Sequence, residues 1–165
     1  MKTRILHTKF WQDAYITDLS VSESWAFMYF LTNDKVNMSG IYEVTSREVA
    51  FYTKLSVEEI REFAKKFQND KKIFFFESWV CLVNHDKYNK YGKGEKQIPA
   101  LIKELSYIPQ RFWSALKEWD TSIYTSRYTR LNTEYRNPNI ENRSILTPED
   151  EEQLDKILGY MPSVS

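Results

Sequence analysis

Between Ser20 and Glu59 the chain repeats one helix-opening pattern three times. Ser20-Val21-Ser22-Glu23, Thr45-Ser46-Arg47-Glu48 and Ser56-Val57-Glu58-Glu59 all read Ser/Thr-x-x-Glu. In a capping box the hydroxyl accepts from the N3 amide and the carboxylate reaches back to the N-cap amide, so two orphan donors are closed together. Each pattern precedes apolar residues at helical spacing, and the three helix starts are thereby set in register. The spacing predicts a first helix over Val21–Thr32, whose broad apolar face of Trp25, Phe27, Met28, Tyr29, Phe30 and Leu31 makes it central to a core. A second runs from Ser46 to Thr53 with Val49 and Ala50 inward, and a third from Val57 to Asn69 with Ile60, Phe63, Ala64 and Phe67 on one stripe. Glu23, Glu48 and Glu59 are assigned to capping rather than to catalysis.

The segments between these helices complete the pattern. Gly40-Ile41-Tyr42-Glu43-Val44-Thr45 alternates and reads as a short strand. Residues 72–77 and 79–83 are two apolar strands joined at Glu77-Ser78, a hairpin with a tight connection. Both hairpin faces are apolar, so one needs a cover, either the stretch 3–11 or a partner subunit. The order helix, strand, helix, tight turn, helix, hairpin is that of a winged helix-turn-helix. The expected fold class is α+β, mainly α, with the hairpin as wing and further helices behind it. One helix is expected over 95–106, with Ile98, Leu101, Ile102 and Leu105 inward, and another after Pro109, with Phe112, Trp113, Leu116 and Trp119 inward. From Asp120 to Arg143 no periodicity is evident, and the run reads as a linker. Thr147-Pro148-Glu149-Asp150 opens a last helix, expected to stop before Gly159. The expected organisation is therefore a winged-helix domain with an N-terminal arm over 1–119, a linker over 120–147, and a short acidic helix and tail over 148–165.

Composition narrows the chemistry. Hydrophobic residues are 42% and aromatics 16%, too apolar for disorder over most of the chain. The 23 basic and 23 acidic residues cancel, so a nucleic-acid surface has to be a local patch. Two histidines and one cysteine exclude a cysteine-rich zinc site, and the four glycines form neither a P-loop nor a GxGxxG. Gly92-Lys93-Gly94 reads as a hinge. No enzyme, metal or cofactor is expected. Cys81 has no internal partner, the pattern of a reducing, cytosolic setting. The N-terminus shows no signal-peptide run, and no stretch is apolar enough for a membrane span.

Charge is unevenly placed. From Arg61 to Lys103 ten basic residues face five acidic ones, whereas from Ser144 onward Lys156 stands alone against five acids. The candidate DNA-binding cations are Arg47 and Lys54 around the second helix, then Arg61, Lys65, Lys66, Lys71 and Lys72 along and behind the third. Lys87, Lys90, Lys93 and Lys96 follow the wing. Tyr88 and Tyr91 among these lysines could stack bases, although packing onto the wing is the plainer reading. Ordinary solvated lysine faces are the competing explanation for the whole set. Glu58 and Glu62 on the outward side of the third helix speak against sequence-specific groove reading by that helix alone.

Several pieces together resemble a family. Arg4-Ile5, Phe10-Trp11-Gln12-Asp13, Leu19-Ser20, Phe30-Leu31-Thr32-Asn33, Gly40-Ile41-Tyr42, Lys72-Ile73 and Val83-Asn84-His85-Asp86-Lys87-Tyr88-Asn89 are similar, in order and spacing, to the N-terminal domain of phage replisome organisers, replication-initiation proteins related to DnaD. The resemblance covers roughly residues 1–110. It implies a winged helix that self-associates and binds DNA; the expected partner is DNA, duplex or single-stranded, the expected homodimer surfaces are the arm and the wing's second apolar face, and the expected setting is the cytoplasm of a bacterial host. The family's second, helical domain has no room here, which puts helicase loading in doubt. Two rival readings stand beside it. One is an adaptor that binds a replication factor, with the acidic C-terminal helix as the contact. The other is a phage transcriptional regulator.

Overall fold

A computed structural model describes residues 6–89, 97–136 and 146–161. Lys90, Tyr91, Lys93 and Lys96, the Gly92–Gly94 hinge and the expected helix start at Glu95 lie outside the described residues. The chain is mainly helical with one small antiparallel sheet. It divides into two compact units, Met1–Leu82 and Val83–Ser165.

In the first unit a 3-10 turn, Thr8–Gln12, leads into a short helix α1, Ala14–Thr17, and then α2, Val21–Thr32. Strand β1, Ile41–Glu43, is followed by α3, Ser46–Thr53, and α4, Val57–Asn69. The hairpin is β2, Ile73–Phe76, with β3, Trp79–Leu82. All three helix starts use the expected hydroxyl: Ser20, Thr45 and Ser56 accept from the amides of Glu23, Glu48 and Glu59. At Ser20 and Ser56 the glutamate also closes the reciprocal bond, at 2.7 and 2.8 Å. The strand order is β1-β3-β2, all antiparallel, with Ile41 opposite Cys81 and Cys81 opposite Phe74.

The core of this unit forms where α2, α4 and one face of the sheet meet. Phe67 of α4 is fully buried, its ring 5.1 Å from Phe27 and 6.4 Å from Phe30 of α2, both edge-on. Tyr42 of β1 enters the same core, and its hydroxyl donates to the Phe30 carbonyl at 2.6 Å. Asn33, at the end of α2, donates to that hydroxyl and to the Tyr29 carbonyl, so the last turn of the helix is closed by the strand beside it. Burial pushes the Tyr42 hydroxyl pKa well upward.

Of the arm, residues 6–11 are described, and there Phe10 stacks on Phe27 at 6.5 Å and packs against the α2 core rather than on the second face of the hairpin. On that second face Ile41, Phe74 and Cys81 are buried. Trp25, expected in the core, is 53% exposed.

The second unit is helical. After α5, His85–Tyr88, come α6, Gln97–Ser106, and α7, Gln110–Trp119. The expected linker is largely a helix, α8, Thr121–Arg136, and the last is α9, Pro148–Tyr160. The helices behind the hairpin therefore group with α8 and α9 rather than trailing a 1–119 domain. α6 packs on α9 and α7 on α8. The apolar edge of the acidic helix, Leu154, Ile157 and Leu158, is buried, which leaves its carboxylates as the outward face.

The helix α8 escaped the sequence reading for a physical reason. Its inward stripe is Tyr124, Arg127 and Leu131, and the charge in the middle breaks the apolar period. Arg127 is only 8% exposed and reaches Asp86 of α5 at 2.8 Å, while Arg130 meets the same carboxylate at 3.2 Å. Asp120 accepts from the amides of Ser122 and Ile123, capping the helix. Gly159 does not end α9; the helix continues to Tyr160 and Met161 is its C-cap.

Two stability tests follow. Arg127→Ala leaves Asp86 with one partner and opens the α8 stripe; a loss of about 2 kcal/mol in urea unfolding is expected, with hydrogen exchange accelerated over Thr121–Arg136. Gly159→Ala should stabilise the chain by about 0.5–1 kcal/mol, because an added Cβ there meets nothing within 4 Å.

Candidate nucleic-acid interface

The helix pair α3–α4 is set by its connection. α3 ends with Lys54 in the left-handed region, φ 63°, and its amide donates to the Ala50 carbonyl. Leu55 and the Ser56 cap follow at once, so the two axes must diverge within the turn. A side chain carries a steric cost in that region that glycine avoids.

The expected cations separate into distinct groups. On α3, Arg47 and Lys54 are exposed. The exposed side of α4 carries Glu58, Arg61, Glu62 and Lys65 at helical spacing, a neutral set in which acids and bases alternate. Among the described residues Arg47, Arg61 and Lys65 have no ion-pair partner.

Lys66 and Lys72 belong to another cluster. Lys66 bonds Glu23 of α2 at 2.7 Å. Lys72 lies over the Tyr15 ring, 4.5 Å from its centroid, and the Tyr15 hydroxyl donates to Asp70 at 2.8 Å. Burial, that bond and the charges of Asp70 and Glu23 raise the Tyr15 pKa. Two lysines and two carboxylates thus gather around one ring, and their charges cancel. These contacts join α1, α2 and the end of α4. Lys71 is exposed beside them at φ 56°.

Lys87 and Tyr88 lie in the second unit. Lys87 sits 5.6 Å above the Tyr88 ring, and that ring is 51% exposed. Tyr88 is therefore not packed away, although its partner Tyr91 lies outside the described residues.

Sequence reasoning passed over an aromatic surface. Phe51 and Tyr52 of α3 are 66% and 57% exposed. Tyr52 stacks on Tyr29 of α2 at 5.9 Å, Phe51 meets Tyr52 edge-on at 5.2 Å, and Lys54 lies 4.6 Å above Phe51. Trp25 borders them, its ring N–H donating to the Thr53 carbonyl at 3.0 Å. Tyr29 is pushed up to about 12 by burial and by Glu48 and Asp34. Part of the signal was present: with Val49 and Thr53 inward, Phe51 falls on the opposite side of the helix, whereas Tyr52, three residues after Val49, falls on its flank.

The Glu23–Lys66 bond can be tested by pH. The Lys66 bond holds the Glu23 carboxyl below the usual carboxylate range, assisted by the Ser20 cap. A pKa depressed in the folded state adds stability above the unfolded value, and this is lost as pH falls through the folded value. Wild-type stability should therefore decline below about pH 4.5, and Glu23→Gln, which keeps a capping side chain, should flatten that decline in urea titrations. An identical acid limb in both proteins would show the bond to be inconsequential.

Among the described residues no group of His, Cys, Asp or Glu could hold a metal ion, and no helix is long and apolar enough to cross a membrane. No protein-family model, curated protein or solved structure matches this chain, so the chemistry of the site rests on its own residues.

Proposed function

We propose that this chain is a non-enzymatic DNA-binding protein built on a winged helix, of the replisome-organiser kind, acting in the initiation of phage or prophage DNA replication. The observation that carries the proposal is the topology of the first unit. α2, β1, α3, α4 and the β2–β3 hairpin follow one another, and β1 pairs with β3 to give the order β1-β3-β2. In winged-helix binders the helix in the place of α4 approaches the groove and the hairpin flanks it. Arg47, Lys54, Arg61 and Lys65 are the exposed cations of the helix pair. They supply phosphate contacts, which position a protein on DNA without reading sequence.

A second reading, a protein-interaction adaptor, is favoured by Glu58 and Glu62. Both are exposed on α4, where they repel phosphate. The test is fluorescence anisotropy with labelled duplex at several salt concentrations. Four phosphate contacts predict a slope of log K against log salt of about −3 to −4. The Arg61→Glu/Lys65→Glu variant should lose binding at least tenfold and flatten the slope. Absence of binding by the wild type to both duplex and single-stranded DNA would move the assignment to the adaptor.

A further inference from the structure

We infer that the outward face of α3 is a platform for single-stranded nucleic acid, where an unstacked base lies against Phe51 and Arg47 and Lys54 hold the flanking phosphates. This rests on the DNA-binding reading above and adds the class of strand and the residues that take it.

Spacing comes first. Arg47 and Phe51 stand at i and i+4 on one face of α3, and Lys54, the C-cap just beyond the helix, reaches back over the Phe51 ring. The Lys54 ammonium lies 4.6 Å above one face of the ring, so an incoming base takes the other. A ring with cations beside it suits a strand whose backbone is anionic and whose bases offer flat faces.

Exposure and support come next. Phe51 is 66% exposed although the core of this unit is rich in phenylalanine, so its ring is left in solvent. It is nevertheless braced. Tyr52 stands edge-on to it, Tyr29 backs Tyr52, and Trp25 is pinned to the end of α3 by its bond to Thr53. A braced ring loses little freedom when a base stacks on it.

Local charge favours an anion. Glu48, the acid next to Arg47 on α3, is bonded to Lys35 at 2.6 Å. Arg47 has no ion-pair partner among the described residues. Lys54 occupies a left-handed cap position where glycine would be easier, and its ammonium rests on the Phe51 ring. A duplex hides its base faces within the stack, so Phe51 has nothing to stack upon there. The neutral outward face of α4 is the weaker surface for a polyanion, and α3 carries the stronger.

The test compares three labelled ligands by anisotropy: an oligothymidylate, an abasic strand of equal length, and a duplex. The wild type should bind oligothymidylate about tenfold more tightly than the abasic strand, with quenching of tryptophan fluorescence. Phe51→Ala should weaken oligothymidylate about tenfold while leaving abasic and duplex binding unchanged, and Phe51→Tyr should retain affinity. Because Phe51 is largely exposed, the variant should keep the wild-type circular dichroism spectrum. Equal affinity for oligothymidylate and the abasic strand would overturn the inference, as would an unaffected Phe51→Ala. With duplex binding intact, either result removes the platform and keeps the DNA-binding reading; loss of all binding removes both. A change of oligomeric mass in Phe51→Ala, seen by light scattering without any effect on DNA, would make the patch a protein contact instead and sink the platform.

Discussion

Phe67 stands in the last turn of α4 with its ring fully enclosed, edge-on to Phe27 and Phe30 of α2, and the arrangement of the first unit depends on this contact. Edge-to-face rings fix orientation as well as distance. With α4 anchored to α2 at that point, the short turn after Lys54 leaves α3 few positions. Gln68, one residue on, accepts from the Phe75 amide at 2.8 Å, which ties the start of the hairpin to the same place. Tyr42 closes the core from β1 by bonding the Phe30 carbonyl. A helix pair with divergent axes and a flanking hairpin is thus the outcome of one aromatic cluster and its polar edge.

Charge in this protein takes its meaning from its neighbours. Lys66 and Lys72 look, in the chain, like part of a cationic run behind α4. In space each is answered, Lys66 by Glu23 and Lys72 by the Tyr15 ring beside Asp70. Arg127 is an extreme case of the same logic, since a guanidinium in an inward helix position is tolerated only when a carboxylate such as Asp86 meets it. The cations of the first unit without a carboxylate partner among the described residues include Arg47 and Lys54, and of these Lys54 rests on the Phe51 ring.

The helices of the first unit were legible because their determinants are local. Ser20, Thr45 and Ser56 act on amides three residues ahead, and Ile60 and Phe67 repeat at a helical period. The second unit was less legible. Arg127 interrupts the stripe of α8, and the Thr- and Ser-rich outer face hides what period is left. Trp25 was assigned to the core by its hydrophobicity alone, whereas its position at the end of α3 holds it half in solvent. Phe51 and Tyr52 were passed over because only the inward positions of their helix, Val49 and Ala50, were assigned, and the burial of Thr53 beside Val49 comes with the fold.

By itself the sequence determined the helix starts, the position of the hairpin and the mainly helical class, because capping, periodicity and turn chemistry act within a few residues. Only the tertiary structure decided which charges are available. The bonds that neutralise Lys66 and Arg127 join residues 43 and 41 positions apart, and no local pattern encodes a partner at that distance. The same holds for the exposed rings of α3, whose surroundings come from α2, and for the second face of the hairpin, whose burial is a property of the folded chain.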